Sequence, residues 1–221
     1  MNYYNCYTMI VKERVSMHTI LSLGMGYLIG CLSPAAFVSK KKNVDLKKEG
    51  TKNLGATNTA LVLGKKAGYF VLFFDMLKSI FSYKLARLLF PHLAVAGIIA
   101  SIGVILGHCY PVFMNFQGGK GLAAFGGLVL AHDPLLFAIL LSFGIFLAFL
   151  LNYGVYLAVS AAALFPILSY LRSGDIHIFF ATAVSGAIIM ITHWTNLRRA
   201  ITQEDPIHTR DGLHKIFGKK K

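Results

Sequence analysis

About seven long apolar stretches, separated by short polar or basic segments, constrain the fold of this chain more than any other feature of its sequence. Hydrophobic residues make up 56% of the 221 residues and charged residues only 14%, whereas soluble domains carry roughly a quarter charged residues. A chain this short cannot bury so much apolar surface in one aqueous core, so we expect lipid to surround much of it. The sequence therefore predicts an all-α, polytopic membrane protein. The predicted spans are residues 18–38, 67–90, 93–113, 121–131, 134–151, 153–171 and 176–194.

The spans predict one integral-membrane domain, residues 18–196, without an internal repeat. We expect a short extracytoplasmic segment, residues 1–17, before this domain and a basic cytoplasmic tail, residues 197–221, after it. The stretch 121–131 holds only about a dozen residues, so a re-entrant helix is the alternative to a span there.

The basic residues lie in blocks between the spans, and these blocks predict the orientation. With seven spans, 16 of the 22 Lys and Arg residues fall on the side of the C-terminal tail and 5 on the other side. Positive charge is retained in the cytoplasm during insertion, so we expect the N-terminus outside and the tail inside. The net charge of +13 thus reflects membrane topology, and no nucleic-acid partner is predicted.

The segment 49–58, Glu-Gly-Thr-Lys-Asn-Leu-Gly-Ala-Thr-Asn, is a polar loop on the predicted cytoplasmic side, directly before the second span. Its glycines allow close approach of the backbone to a ligand, and free amides near a helix start favour an anion. A plain surface turn is the alternative interpretation.

The segment 107–121 combines a histidine with a second glycine-rich loop. His108 lies near the end of the third span, and Pro111 ends or kinks that span. The run Gly118-Gly119-Lys120-Gly121 offers backbone amides beside an ammonium before an apolar helix, as an oxyanion site would. It lacks the spacing of a P-loop. A loop with one lysine at the interface, and a histidine bonded to a carbonyl, are the alternatives.

Two further pairs of polar residues are each three positions apart, which places both members on one helix face. Asp75 and Lys78 lie within the second span and are interpreted as a structural ion pair, since charges at membrane depth are usually paired or functional. His193 and Asn196 lie at the cytoplasmic end of the seventh span, where they can face the same pocket as the two loops.

Taken together and in this order, these motifs resemble the bacterial PlsY family, the acyl-phosphate:glycerol-3-phosphate acyltransferases, from about Gly26 to Asn196. The matching pieces are Tyr27-Leu28-Ile29-Gly30, Asn53-Leu54-Gly55-Ala56-Thr57-Asn58, Asp75 with Lys78, Gly107-His108, Pro111-Val112-Phe113, Phe116, Gly118-Gly119-Lys120-Gly121, and His193 with Asn196.

The resemblance implies a seven-span enzyme of the bacterial cell membrane with its N-terminus outside and its active site facing the cytoplasm. It implies transfer of an acyl group from a long-chain acyl phosphate to glycerol 3-phosphate, giving lysophosphatidic acid and phosphate, without a metal or other cofactor. The peripheral enzyme that makes acyl phosphate is a further implied partner. Catalytic roles fall on His108, Lys120 and Thr51, with His108 the protein's candidate general base and the donor's phosphate the alternative proton acceptor. Substrate contacts fall on Lys52, Asn53, Gly55, Thr57, Asn58, Gly118, Gly119, Gly121, His193 and Asn196.

The chain departs from the resembled family at several of these positions. This chain has Thr51, Lys52 and Leu61 where the family usually has Ser, Gly and Arg. Near the turn between the fifth and sixth spans the family usually has a basic residue and a Ser, and this chain has Tyr153 and Tyr156 there. Loss of an arginine removes a bidentate phosphate ligand, so we hypothesise that Lys52 partly replaces its charge. A catalytically weak paralogue is the first alternative. A transporter is the second alternative. The polar residues of a transporter line a path through the midplane, however, whereas those of this chain cluster at one face.

Overall fold

A computed structural model describes residues 3–204, 208–211 and 215, with side chains from residue 15 onward. This part of the chain contains α-helices and one 3₁₀ turn, and no strand is found in it. The helices are α1 Tyr3–Gly30, α2 Pro34–Lys41, α3 Ala56–Leu63, α4 Lys65–Leu89, α5 Ala96–Cys109, α6 Leu122–His132, α7 Pro134–Leu150, α8 Val155–Ser173 and α9 Ile176–Ile201, with the 3₁₀ turn at Val112–Met114 between α5 and α6. The predicted all-α membrane fold is thereby confirmed.

Each predicted span contains one α-helix except the first, which is interrupted. Helix α1 ends at Gly30 and α2 begins at Pro34, where the Ser33 hydroxyl accepts a hydrogen bond from the Ala36 amide at 3.2 Å. A proline at the first helical position needs no amide partner, and a serine before it caps the helix. The predicted span 18–38 is therefore two helices joined by a three-residue break.

The first and last long helices extend into the predicted terminal segments 1–17 and 197–221. Helix α1 begins at Tyr3, so most of the predicted segment 1–17 continues directly into the first span. Helix α9 continues to Ile201, so the first part of the predicted tail 197–221 is helical as well. Residues 1–2, 205–207, 212–214 and 216–221 lie outside the described residues.

Length and apolar composition single out the segments that can cross a bilayer. Among the described residues, four segments are long and apolar enough, Val15–Lys41, Ala96–Met114, Val155–Ser173 and Ile176–Ile201, and Leu122–His132 and Pro134–Leu150 are shorter apolar helices. Helix α4 has 25 residues, enough to cross, but contains buried charges. The span number of seven and the orientation remain predictions.

Helix α5 occupies the centre of the bundle, where it contacts α1, α4, α6 and α9. Its backbone lies directly against α1, because a β-carbon at Gly107 would be 2.2 Å from the Tyr27 carbonyl oxygen and one at Gly30 would be 2.4 Å from that of Val104. Small residues four apart allow this close approach in membrane helices. The contact fixes the position of His108 relative to the break between α1 and α2.

The junction between α6 and α7 carries an ion pair at the end of the molecule opposite the two glycine-containing loops. Asp133 caps α7 by accepting from the amides of Leu135 and Leu136, and its Oδ2 lies 2.5 Å from Nε of Arg172. Burial alone would raise the pKa of the Asp133 carboxyl, but hydrogen bonds from these amides and from Arg172 hold it below its ordinary value. The pair therefore ties the start of α7 to the end of α8.

Candidate active site

A cavity of about 410 Å³ lies among α4, α6, α7 and α8, with its two ends chemically different. One end is lined by polar and loop residues, which are Asn53, Gly55, Thr57, Asp75, His108, Lys120, Gly121 and His193. The remainder is lined by apolar residues, which are Ala56, Leu72, Met76, Leu122, Ala123, Phe125, Gly126, Val129, Phe137, Leu140, Leu141, Leu157 and Ala161. The cavity can thus hold a ligand with a polar head and an apolar tail.

Asn58 organises the first loop and does not reach the cavity. Its side chain is fully buried, Nδ2 donates to the carbonyls of Leu46, Glu49 and Asn53, and Oδ1 accepts from the Thr51 amide at 2.7 Å. A side chain whose donors and acceptor are all engaged by the backbone has nothing left for a substrate. The structure gives Asn58 a loop-holding role, and its assignment as a substrate contact stays a prediction.

Thr51, Lys52 and Leu61 also lie away from the cavity wall. Thr51 and Lys52 are exposed, and Leu61 is half-buried within α3. Lys52 adopts φ 57°, a left-handed conformation that glycine adopts without strain. The left-handed backbone at this position therefore explains why the resembled family has a glycine there. The position of Thr51 away from the cavity does not support a catalytic role for it.

The glycines of the second loop serve the end of α5. The amides of Gly118 and Gly119 donate to the carbonyls of Cys109 and His108, both at 3.0 Å. These bonds satisfy carbonyls that a helix end leaves open. Both amides are thus used within the protein, and a substrate contact of Gly118 and Gly119 stays a prediction.

Two helix N-termini supply the amides that the glycine-rich loops were expected to provide. Helix α3 begins after Gly55 and α6 after Gly121, and neither capping residue has a side chain to bond the first-turn amides. The first residues of both helices line the cavity. Uncapped first-turn amides with the positive end of the helix dipole attract anions, so the polar end suits a phosphate.

Lys120, His193 and Asn196, here named the mouth group, meet at this end. Nζ of Lys120 donates to Oδ1 of Asn196, and the Lys120 carbonyl accepts from the hydroxyl of Thr192 at 2.9 Å. The Nδ1 of His193 lies 3.0 Å from the Ile189 carbonyl oxygen. A carbonyl only accepts, so this Nδ1 carries the proton and Nε2 remains as the acceptor. Asn196 acts on the site through Lys120, since it does not itself line the cavity.

Asp75, Lys78 and His108, here named the buried triad, form a closed hydrogen-bonded group. Nζ of Lys78 lies 2.7 Å from Oδ1 of Asp75, 3.1 Å from the Gly30 carbonyl oxygen and 2.9 Å from that of Leu32. An ammonium has three protons, and these oxygens account for all of them. The three side chains are each exposed by less than a tenth. Lys78 thus binds the end of α1 as well as Asp75.

The triad also fixes the tautomer of His108. Its Nδ1 lies 3.1 Å from Oδ1 of Asp75 and 3.1 Å from Nζ of Lys78. Because the ammonium's protons already serve three oxygens, the Nδ1–H donates to Asp75, and Nε2 is the acceptor. A β-carbon at Gly119 would lie 2.3 Å from this Nε2, so the absence of a side chain there is required by the histidine ring. Sequence reasoning paired Asp75 with Lys78 but did not connect either residue to His108.

Tyr153 and Tyr156, which stand near a usual basic residue and serine of the resembled family, are used for packing. Tyr153 is buried in a cluster with Val155 and Ala200, and Tyr156 packs against that cluster. The Tyr153 ring also lies 5.1 Å from the His208 ring, centroid to centroid. Within the residues described, no group of three or more His, Cys, Asp or Glu is arranged to hold a metal ion.

The bundle and its amphipathic cavity define a membrane-embedded protein in which a polar end of the cavity joins an apolar compartment. Residues 20–203 match the model of the glycerol-3-phosphate acyltransferase family, and the chain belongs to that family.

Relatives in sequence and in structure agree with this assignment. The chain is 32% identical to a glycerol-3-phosphate acyltransferase of Thermoanaerobacter sp. (strain X514), covering 84% of this chain and 93% of that protein. It is 35% identical to one of Geobacillus kaustophilus (strain HTA426), covering 85% and 95%.

Two crystal structures of PlsY, an integral membrane glycerol 3-phosphate acyltransferase, are similar in fold. The glycerol 3-phosphate form superposes with a TM-score of 0.82 at 27% identity, covering 91% of this chain and 99% of that one. The lysophosphatidic acid form superposes with a TM-score of 0.76 at 30% identity, covering 88% and 98%.

Proposed function

We propose that this protein transfers an acyl group from a long-chain acyl phosphate to glycerol 3-phosphate, giving lysophosphatidic acid and phosphate. The observation that carries the proposal is that one cavity joins an end suited to a phosphate to an apolar remainder. Glycerol 3-phosphate suits the polar end, and the acyl chain of donor and product suits the apolar lining. Family membership, and relatives crystallised in glycerol 3-phosphate and lysophosphatidic acid forms, support the same reaction.

The acyl phosphate is a mixed anhydride with a good leaving group, so the reaction needs positioning and charge stabilisation more than a covalent intermediate. The acceptor hydroxyl oxygen forms a bond to the acyl carbonyl carbon, and the bond from that carbon to the phosphate oxygen breaks. Lys120 and the N-termini of α3 and α6 stabilise the anionic groups. Asn53 and Thr57 orient the acceptor, and His193 offers its Nε2 to an acceptor hydroxyl.

Two groups can take the proton of the acceptor hydroxyl. One is Nε2 of His108, which Asp75 holds in the accepting tautomer as an aspartate does for a catalytic histidine. The other is the phosphate of the donor. Replacing His108 by Gln separates the two. If His108 is the base, the change lowers kcat across the pH range. If the donor's phosphate is the base, His108 is structural, and the change alters stability and leaves the kcat profile unchanged.

The reaction is tested most directly with purified protein and palmitoyl phosphate, with palmitoyl-CoA as the alternative donor. Release of phosphate together with lysophosphatidic acid from the first donor alone supports the proposal, and complementation of a bacterial strain lacking its acyl-phosphate-dependent acyltransferase supports it in cells. Uptake of glycerol 3-phosphate into proteoliposomes without acyl transfer would favour the transporter alternative.

We further propose that the polar end faces the cytoplasm of a bacterial cell, where glycerol 3-phosphate and the peripheral enzyme that makes acyl phosphate are found. The 16-to-5 division of basic residues supports this orientation. Single cysteines at Asn2 and Lys220, both outside the described residues, should label from opposite sides of the membrane once Cys6 is replaced. Labelling from the same side would exclude an odd number of spans.

A further inference from the structure

Gly126 is a helical glycine that neither the backbone nor the packing explains. It lies inside α6 without a positive φ, and a β-carbon there would be 3.7 Å from Cε2 of Phe137 and 3.9 Å from Cε of Met76. These are ordinary contact distances, so alanine would fit. Glycine in a helix costs roughly 1 kcal/mol relative to alanine, and nothing in the packing of α6 offsets that cost.

The neighbouring Gly127, in contrast, is a glycine that helix packing requires. A β-carbon at Gly127 would lie 2.4 Å from the carbonyl oxygen of Met76, so the contact between α4 and α6 requires its absence. Gly127 is buried, whereas Gly126 is half-exposed and lines the cavity. The space beside Gly126 therefore belongs to the cavity and not to a helix contact.

Gly126 lies at the middle of the apolar part of that cavity. Ala123, Gly126 and Val129 are three apart and line it together, as residues on one helix face do. The lining residues of α6 run from Leu122 to Val129, so the compartment follows this helix for about 10 Å. Lys120 lies at its polar end, and Phe137 of α7 faces Gly126 across it.

We propose that Gly126 is a specificity-determining residue for acyl-chain length. The missing side chain leaves extra room in the apolar wall beside Met76 and Phe137, where the distal carbons of the chain pack. A side chain at 126 fills this room, and a smaller residue at 137 enlarges it. The inference rests on the proposed function, since it presumes that the apolar compartment receives the acyl group.

The test compares kcat/KM for palmitoyl phosphate with kcat/KM for decanoyl phosphate. Gly126→Leu should lower this ratio by ~10-fold or more, because a few methylenes that lose their place in an apolar pocket are worth at least that factor. Phe137→Ala should raise the ratio. Gly24→Leu is the matched control, since Gly24 is an exposed α1 glycine with no atom within 4 Å of a β-carbon there, and it should leave the ratio unchanged.

Gly126→Ala keeps the test decisive if the leucine variant does not fold, since it should shift the ratio in the same direction by a smaller factor. An unchanged ratio in folded Gly126 variants overturns the inference. If the unmutated protein uses neither acyl phosphate, the proposed donor is wrong. Binding of decanoyl and palmitoyl lysophosphatidic acid, measured by calorimetry in detergent, then still decides whether the chain passes Gly126.

Discussion

The buried triad and the mouth group are two sets of polar side chains in a membrane protein, and they have different roles. In the triad, each proton of Lys78 has an oxygen partner within the protein, and two of these oxygens are backbone carbonyls at the end of α1 and in the break that follows it. In the mouth group, Lys120 and His193 line a cavity whose helix N-termini lack side-chain caps. Charges buried away from any ligand fix architecture, whereas a charge on a cavity wall can also meet a ligand. The two groups should therefore differ sharply when a lysine is removed from each.

Removing the lysine of the triad should have the largest effect. Lys78→Met leaves the Asp75 carboxylate buried without its cation, which typically costs ~3–5 kcal/mol of folding free energy. We expect a much lower unfolding temperature in detergent and a poor yield of folded protein. Lys84→Met, an exposed lysine on the same helix, is the control and should unfold normally. An unfolding temperature equal to that of the unmutated protein would remove the architectural role of Lys78.

Removing the lysine of the mouth group should affect catalysis and not folding. Lys120→Ala is expected to lower kcat/KM for acyl transfer by at least ~10²-fold, the usual cost of losing an electrostatic donor at a developing charge. The unfolding temperature should change little, because the residue contributes little packing. Lys42→Ala removes an exposed lysine and should retain full activity. Near-normal transfer by the Lys120 variant would reduce this loop to a structural connection.

Lys52 sharpens the comparison because it belongs to neither group. We expect the ammonium of Lys52 to attract glycerol 3-phosphate from the exposed loop. Lys52→Gly should then raise KM by a factor that corresponds to more than ~1 kcal/mol of binding free energy, which is already a large contribution for a solvated lysine. The same change should raise stability by roughly 1 kcal/mol, since glycine adopts the left-handed conformation without strain. Stability and affinity would then move in opposite directions.

Leu61→Arg completes this test as a double-mutant cycle on KM. The arginine should restore affinity in the Lys52→Gly background and help less in the unmutated protein, where Lys52 already supplies charge. The coupling between the two positions is the quantity measured. Strictly additive effects would reject compensation and favour the weak-paralogue alternative.

The smallest effect is expected at the Asp133–Arg172 pair, which fixes a helix start and lies outside the cavity. Asp133→Ala should cost ~1 kcal/mol of stability, the usual value for a lost N-cap, and leave acyl transfer unchanged. The folded pKa of Asp133 is lowered, so its contribution is present above the unfolded value of about 4 and is lost as the pH falls through the folded pKa. Thermal unfolding of both proteins across the acidic range should therefore converge at low pH.

Local patterns predicted the helices well because apolar length and charge blocks are properties of neighbouring residues. The predicted span 67–90 became α4 Lys65–Leu89, and the span 134–151 became α7 Pro134–Leu150. The break between α1 and α2 escaped prediction although Ser33 and Pro34 signal a helix start, because the apolar run continues through it. Where a local capping signal and a hydrophobic run compete, the run dominated our prediction and the cap determined the structure.

The candidate site was predicted in its residues more than in their roles. The two loops, His108 and His193 were identified as parts of one site, and the structure places members of all of them at one cavity. Asn58, Gly118 and Gly119 proved to hold the loops themselves, because their hydrogen bonds end on carbonyls brought close only by folding. No local spacing could reveal that Asp75 meets His108 from another helix. Gly126 carries no sequence signal, since its meaning depends on Phe137 and Met76 across the cavity.

The partners of Lys78 also bear on how the chain enters the membrane during synthesis. Gly30 and Leu32 are made before α4, so their carbonyls are already at hand when the lysine reaches the bilayer, and Asp75 arrives within the same helix. His108 emerges later, with α5, and joins a pair that is already neutralised. A nascent chain that ends after α4 should therefore integrate only when α1 precedes it, because an ammonium at membrane depth is costly without its oxygens. The order of the helices in the sequence is thus also the order in which the charges of this protein find their partners.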